Sequence, residues 1–337
     1  MCRFAAIAIG AKYAGAETLG HFWLGLAISA PFVLFFALES RAVYVSDARG
    51  AFPFATYRAL RTSGLFAATL CIIPFVLWHA VNNGDWWVGL IIAGACADKI
   101  ALHLADIDWG VYQKRERLDL MAWSNAIRGA AMLAAFLAVI PLAYWMGASQ
   151  GLKPAVAIAV WVYVIAWIAI WQFYDRPRAE MGEMRSSAPT RAADVWRLAV
   201  QAFPLGVVAL IVTLCDSAPR WIIEAQDDPA TPVDEGAAAL GYFGSMEIIT
   251  RIGTLVIVQV GTAAGHRLST LYQSDIAAFS RLAWRLAGLA IALGGATFLA
   301  FALIGKWFLN LVYGPDFAAF SDQFIVLAAG HSMVLLA

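Results

Sequence analysis

The chain has 337 residues, 62% hydrophobic and 14% charged, with a mean hydropathy of +0.72 and 23 basic side chains against 23 acidic ones. Soluble domains carry about 25% charged and 45–50% apolar residues, so this composition excludes an ordinary soluble globular domain. The zero net charge says nothing about partners; its distribution along the chain does.

In chain order, Phe4–Ile9 is apolar but too short to span a bilayer. It reads as the remnant of a clipped first helix, with a signal peptide behind Arg3 as the alternative. Bilayer-length apolar runs follow at Phe22–Leu38, Gly64–Val81, Trp86–Leu104, Ala122–Met146, Pro154–Phe173, Leu198–Ile223, Ala237–Gly261, Leu282–Leu303 and Phe324–Ala337. A helix needs roughly 20 apolar residues to cross the hydrocarbon core. The alternating strands of a membrane β-barrel, about 10 residues each, do not occur. The last run stops at Ala337 with no flanking charge and reads as cut. The reading is therefore all-α, a polytopic transmembrane helical bundle. Cys2, Cys71, Cys96 and Cys215 are scattered without a CxxC, so neither disulfide nor zinc is expected.

Lys and Arg favour cytoplasmic loops. With the loop after Phe22–Leu38 inside, the inside loops hold Arg41, Arg49, Arg58, Arg61, Lys114, Arg115, Arg117, Arg176, Arg178, Arg185, Arg191, Arg197, Arg267, Arg281 and Arg285. The outside loops hold only Lys12, Lys153 and Lys306, and the outside loop Glu224–Gly236 carries five acids and no base.

An internal repeat runs through the same frame. Leu19-Gly20-His21-Phe22 recurs as Leu240-Gly241-Tyr242-Phe243, and the loop Phe54, Arg58, Arg61, Gly64 recurs at nearly the same offset as Phe279, Arg281, Arg285, Gly288. Six helices separate the copies, so both point the same way, as in parallel transporter repeats. The longest inside loop, Tyr174–Arg197, contains Pro177, Ser186, Ser187 and Pro189 and divides the copies. The expected organisation is an N-terminal lobe over 1–175 (helices one to six, the first incomplete), an inter-lobe cytoplasmic loop over 176–197, and a C-terminal lobe over 198–337 (helices seven to ten).

Several stretches carry a family likeness. These are Ala14-Gly15-Ala16-Glu17-Thr18-Leu19-Gly20 before a span with Ala30-Pro31, and the loop from Asp106-Ile107-Asp108-Trp109-Gly110 through Tyr112-Gln113 to Arg117-Leu118-Asp119. Phe203-Pro204-Leu205-Gly206, Ser217-Ala218-Pro219-Arg220, Leu240-Gly241-Tyr242-Phe243 and Leu311-Val312-Tyr313-Gly314-Pro315-Asp316-Phe317 continue the series. In this order they resemble the polysaccharide flippases, the Wzx-like (PST) branch of the MOP superfamily. The resemblance implies a MATE-like fold of twelve helices in two lobes around a central cavity, about ten of them present here. It also implies outward flipping of a polyprenyl-pyrophosphate-linked oligosaccharide across the inner membrane by alternating access, for polysaccharide or O-antigen (lipopolysaccharide) biosynthesis.

Charges inside spans are functional candidates, because each costs at least about 2.5–3.5 kcal/mol. Lys99, Arg128, Arg220 and Arg251 are the bases within the runs, and Asp98, Asp216 and Glu247 the acids. An inward arginine suits a pyrophosphate through its forked donors. The competing reading is self-neutralisation, since Asp216–Arg220 and Glu247–Arg251 have the four-residue spacing of helix neighbours. Lys99 and Arg128 read as close enough to the inside surface to snorkel. Glu247 or Asp216 can also serve a coupling proton or cation. The site candidates are thus Arg251, Glu247, Arg220, Asp216, Arg128 and Lys99. Neither HExxH nor a P-loop occurs, so no metal, cofactor or ATP hydrolysis is expected. The lipid-linked sugar and the bilayer are the expected partners, and nucleic acid is not. A multidrug or cation exporter, or a membrane enzyme of envelope glycan assembly, are the alternatives to a non-enzymatic flippase.

Overall fold

A computed structural model describes residues 2–47, 50–147, 152–183, 190–226, 234–251, 268, 271 and 275–334. Arg49, Arg185, Arg267, Ser186, Ser187, Pro189, Asp227 and Asp228 lie outside the described residues, as do positions 252–261 of the run Ala237–Gly261.

Regular structure among the described residues is helical throughout, with no strand. The long helices are α1 (Cys2–Ala37), α3 (Phe54–Asn82), α4 (Trp86–Lys114), α5 (Leu118–Trp145), α6 (Lys153–Ile170), α8 (Ala192–Glu224) and α10 (Ile276–Val312). Shorter pieces are α2 (Ser40–Ser46), α7 (Arg176–Glu183), α11 (Pro315–Ala318) and α12 (Ser321–Val334), and α9 is described over 235–251. Seven helical stretches among the described residues are long and apolar enough to cross a membrane. The chain is a polytopic helical membrane protein.

Two features refine the expected layout. The short run Phe4–Ile9 belongs to a helical segment of its own, ahead of the one that carries Phe22–Ala37. The two segments of α1 join at a kink at Gly15, where φ is +83°; glycine tolerates that backbone where other residues are strained. The connection expected over 176–197 is helical over Arg176–Glu183 and again from Ala192. Helix α6 reaches α7 through a π turn at Trp171–Asp175. Pro177 accounts for it, because its ring removes an amide and crowds the carbonyl four residues back, which the wider turn relieves.

Contacts group the chain into Met1–Gly241 and Tyr242–Ala337. In the first unit α1 is enclosed by α3, α4, α5 and α8. It is apolar on all sides, with Leu19, Phe22, Leu24, Ala27, Ile28 and Val33 all buried, as a helix surrounded by others must be. Small residues set the spacing. A methyl built on Gly25 would meet the Ile92 carbonyl of α4, and one on Gly64 the Phe36 carbonyl of α1. In a membrane such close approach supplies packing that the hydrophobic effect cannot.

Residues of α1 and the start of α9 meet through the same device. A methyl on Gly20 would collide with the Ala237 carbonyl, and one on Gly241 with the Ala16 carbonyl. Ala16 and Gly20, and likewise Ala237 and Gly241, are four residues apart, so each helix offers a small-residue pair and the contact is reciprocal. Gly20→Val is therefore expected to force α1 and α9 apart and cost about 3 kcal/mol or more. Gly288→Ala, where a methyl has nothing within 4 Å, should be neutral or slightly stabilising. Thermal unfolding of the two detergent-purified variants checks both, and equal melting temperatures would refute the close-contact argument.

In the second unit α10 packs on α12. The Tyr313 hydroxyl donates to the Ser245 carbonyl at 2.9 Å, Gly314 turns the chain at a φ of +111°, and Phe317 is buried against Tyr313 and Tyr242. The Leu311–Phe317 motif is thus a turn tied back to α9.

Candidate functional site

Asp98 stands near the middle of α4, and its carboxylate is 1% exposed. Arg128 of α5 donates to it through Nη2 at 2.7 Å, the Tyr163 hydroxyl of α6 donates at 2.7 Å, and Arg3 of α1 approaches at 3.3 Å. Arg128 also donates from Nε to the Tyr163 oxygen at 2.7 Å and lies over the Trp167 ring. Four helices are thus tied to one carboxylate.

The structure changes the reading of Arg128. Helix α4 continues to Lys114, ten residues past the apolar run that ends at Leu104, so Lys99 stays five residues inside the end of that run. Arg128 is buried and turned to Asp98 rather than snorkelling. The helices outlast their apolar runs because the extra turns carry charges that pair with each other.

Lys99 is half-buried and makes no ion pair within 4 Å to a described residue. The charges of Arg3, Asp98, Asp216 and Arg128 act on it. On α8, Arg220 is buried and 3.7 Å from Asp216, which is exposed. Lys99, Arg128, Asp216 and Arg220 therefore lie in the same unit, with Asp98 and Arg3. Lys99 and the charges that act on it, Arg3, Arg128, Asp98 and Asp216, comprise three bases and two acids. The field suits an anion.

Glu247 and Arg251 lie in the second unit on α9, paired at 2.6 Å across one helical turn, with Glu247 buried. Thr250 beside them reaches His331 of α12 at 3.3 Å. Both sequence-adjacent pairs, Asp216–Arg220 and Glu247–Arg251, form as their spacing predicts. Asp98 was legible as an intramembrane acid, whereas Arg3 and Tyr163 carried no signal, one preceding a short apolar run and the other a lone hydroxyl in a long one.

A second network closes the basic end of the first unit. Arg41 and Arg61 share Asp106 at 2.7 and 3.0 Å, and Arg58 bridges Asp108 and Glu180 at 2.6 and 2.7 Å. Trp109 and Ser124 donate to the buried carboxylate of Asp175, and the Tyr112 hydroxyl donates to its carbonyl. Gln113 accepts from Arg41, and Lys114 caps the Asp47 carbonyl. Partial burial raises the pKa of Asp47, but hydrogen bonds from Tyr57 and the amides of Ala51, Phe52 and Gly50 outweigh it and hold the carboxyl below its usual range. The Asp106–Asp119 motif thus ties α4 to α2, α3, α5 and the π turn. At the opposite end Lys153 pairs with Glu17 at 2.8 Å and approaches Asp85 at 3.7 Å, while His79 lies 3.8 Å from Glu224. The two ends separate as the alternation of loop charge requires.

No family model matches the chain, and no solved structure matches it. It is similar to the capsular polysaccharide biosynthesis protein CapF of Staphylococcus aureus. The identity is 21% over 336 residues, covering 99% of this chain and 79% of that protein. The likeness thus runs through both units rather than through one motif.

Proposed function

We propose that the protein is a non-enzymatic multi-pass transporter of the inner membrane, of the polysaccharide flippase family, moving a polyprenyl-pyrophosphate-linked oligosaccharide outward by alternating access for polysaccharide biosynthesis. The observation that carries this reading is Lys99, a half-buried cation within a candidate spanning helix that makes no ion pair within 4 Å to a described residue. A free charge there is costly unless something uses it, and a pyrophosphate is a fitting counter-ion. The similarity to a capsular polysaccharide biosynthesis protein supports the same pathway. We assign the lobes as 1–175 and 198–337 joined by 176–197, and the reciprocal contact at Gly20 and Gly241 supports their repeat relation.

A cation exporter receives less support, because the acids it would use, Asp216 and Glu247, are each paired with an arginine one helical turn on. The test is complementation of a strain lacking its polysaccharide flippase. Restored surface polysaccharide is expected; expression in the membrane without restoration, across several glycan types, would count against transport of this substrate.

A further inference from the structure

A cavity of about 460 Å³ opens at the basic end of the first unit between α3, α4, the π turn and α7. Arg58, Arg61, Arg176, Glu180, Trp171 and Leu104 are among its lining. Three guanidinium groups therefore meet one carboxylate. Arg58 has committed both terminal nitrogens to Asp108 and Glu180, and Arg61 has committed its own to His103 and Asp106. The buried Nε atoms of both have no acceptor among the described residues. Arg176, the most accessible of the three, bonds Glu180 through Nε and Gln172 through Nη1, so its Nη2 is uncommitted among the described residues.

The apolar wall says what kind of anion fits. Ala55, Ala59 and Thr62 of α3 line the cavity, and the same three- and four-residue spacing continues through Phe66, Leu70, Ile73 and Leu77. Those four are exposed, so one helix face runs from the cavity along the membrane-spanning part of α3 as an apolar stripe. A free phosphate would use only the cavity, whereas a lipid uses both cavity and stripe. Basic pockets between helices on the cytoplasmic side attract acidic headgroups.

We propose that this cavity holds the phosphate headgroup of an acidic bilayer phospholipid from the cytoplasmic leaflet, with an acyl chain lying along the α3 stripe. The site is separate from the Lys99 cluster and does not depend on the transported substrate. The test uses the full chain in nanodiscs of mixed phosphatidylglycerol and phosphatidylcholine, with tightly retained lipid counted by native mass spectrometry. Phosphatidylglycerol should be retained preferentially. Arg176→Gln should lower that preference about fivefold, as expected for one basic group at the membrane surface. Arg117→Gln removes an exposed arginine outside the cavity and should leave the preference unchanged. Arg58→Gln is the less informative variant because it strands the buried Asp108. Equal retention of the two lipids by the wild type would overturn the proposal, as would an Arg117→Gln loss matching that of Arg176→Gln. Displacement of phosphatidylglycerol by polyprenyl phosphate at equal mole fraction would also overturn it, reassigning the cavity to the substrate.

Discussion

Asp98→Ala is expected to be the most damaging single substitution in the first unit, costing about 3–5 kcal/mol and lowering the apparent melting temperature by on the order of 10 °C. The carboxylate is buried and neutralises Arg128, which is itself buried, while also receiving the Tyr163 hydroxyl and Arg3. Removing it leaves a guanidinium inside the spanning bundle with only a phenol oxygen as acceptor. Arg3 is half-buried and can turn outward; Arg128 cannot. The penalty belongs to the uncompensated charge rather than to the lost bonds, which separates this explanation from simple loss of packing. Asp98→Asn/Arg128→Gln removes both charges, keeps near-native volumes, and should recover much of the stability. Thermal unfolding in one detergent decides the matter. If the double variant melts no higher than Asp98→Ala, the pair is not what holds α4 to α5.

The bundle was legible because the bilayer enforces apolar runs of fixed length, and loop charge then sets their direction. Helix ends were less legible, and for one reason. Hydropathy marks where a helix leaves lipid, whereas α4 continues ten residues past Leu104 because Asp106, Asp108 and Gln113 find Arg41, Arg58 and Arg61 on neighbouring elements. Those partners are 45 to 72 residues away in sequence, and no local pattern announces them. The site divides in the same way. Asp216–Arg220 and Glu247–Arg251 were visible because a helix places such residues side by side. The Asp98–Arg128 pair spans 30 residues and two helices, so the sequence shows two isolated charges and snorkelling is the natural, incorrect inference for Arg128. The motif glycines show the reverse case. Gly20 and Gly241 looked like loose signals at helix starts, and the structure makes them the positions where backbone meets backbone.

Lys99 tests the transport reading most sharply, because it combines a place within a candidate spanning helix with an absence of ion-pair partners among the described residues. Lys99→Met keeps the length and apolar stem of the side chain and removes only the charge. Since no described ion pair is broken, the folded bundle should survive with a melting temperature near that of the wild type, unlike Asp98→Ala. Transport should not survive. A charge-assisted contact is worth about 1.5–3 kcal/mol, so flipping of a pyrophosphate-linked sugar should fall roughly 10- to 100-fold, read as surface polysaccharide in the complemented strain at equal membrane expression. Lys99→Arg retains the cation and should keep a substantial fraction of activity, with a shortfall attributable to the larger, planar head. Transport by Lys99→Met at the wild-type level would remove Lys99 from the substrate path and shift attention to Arg220. A shared collapse of transport and thermal stability would mean instead that the ammonium is compensated by the nearby carboxylates of Asp98 and Asp216, which would make it a structural charge. The pair of readouts therefore distinguishes a cation that grips cargo from one that holds helices.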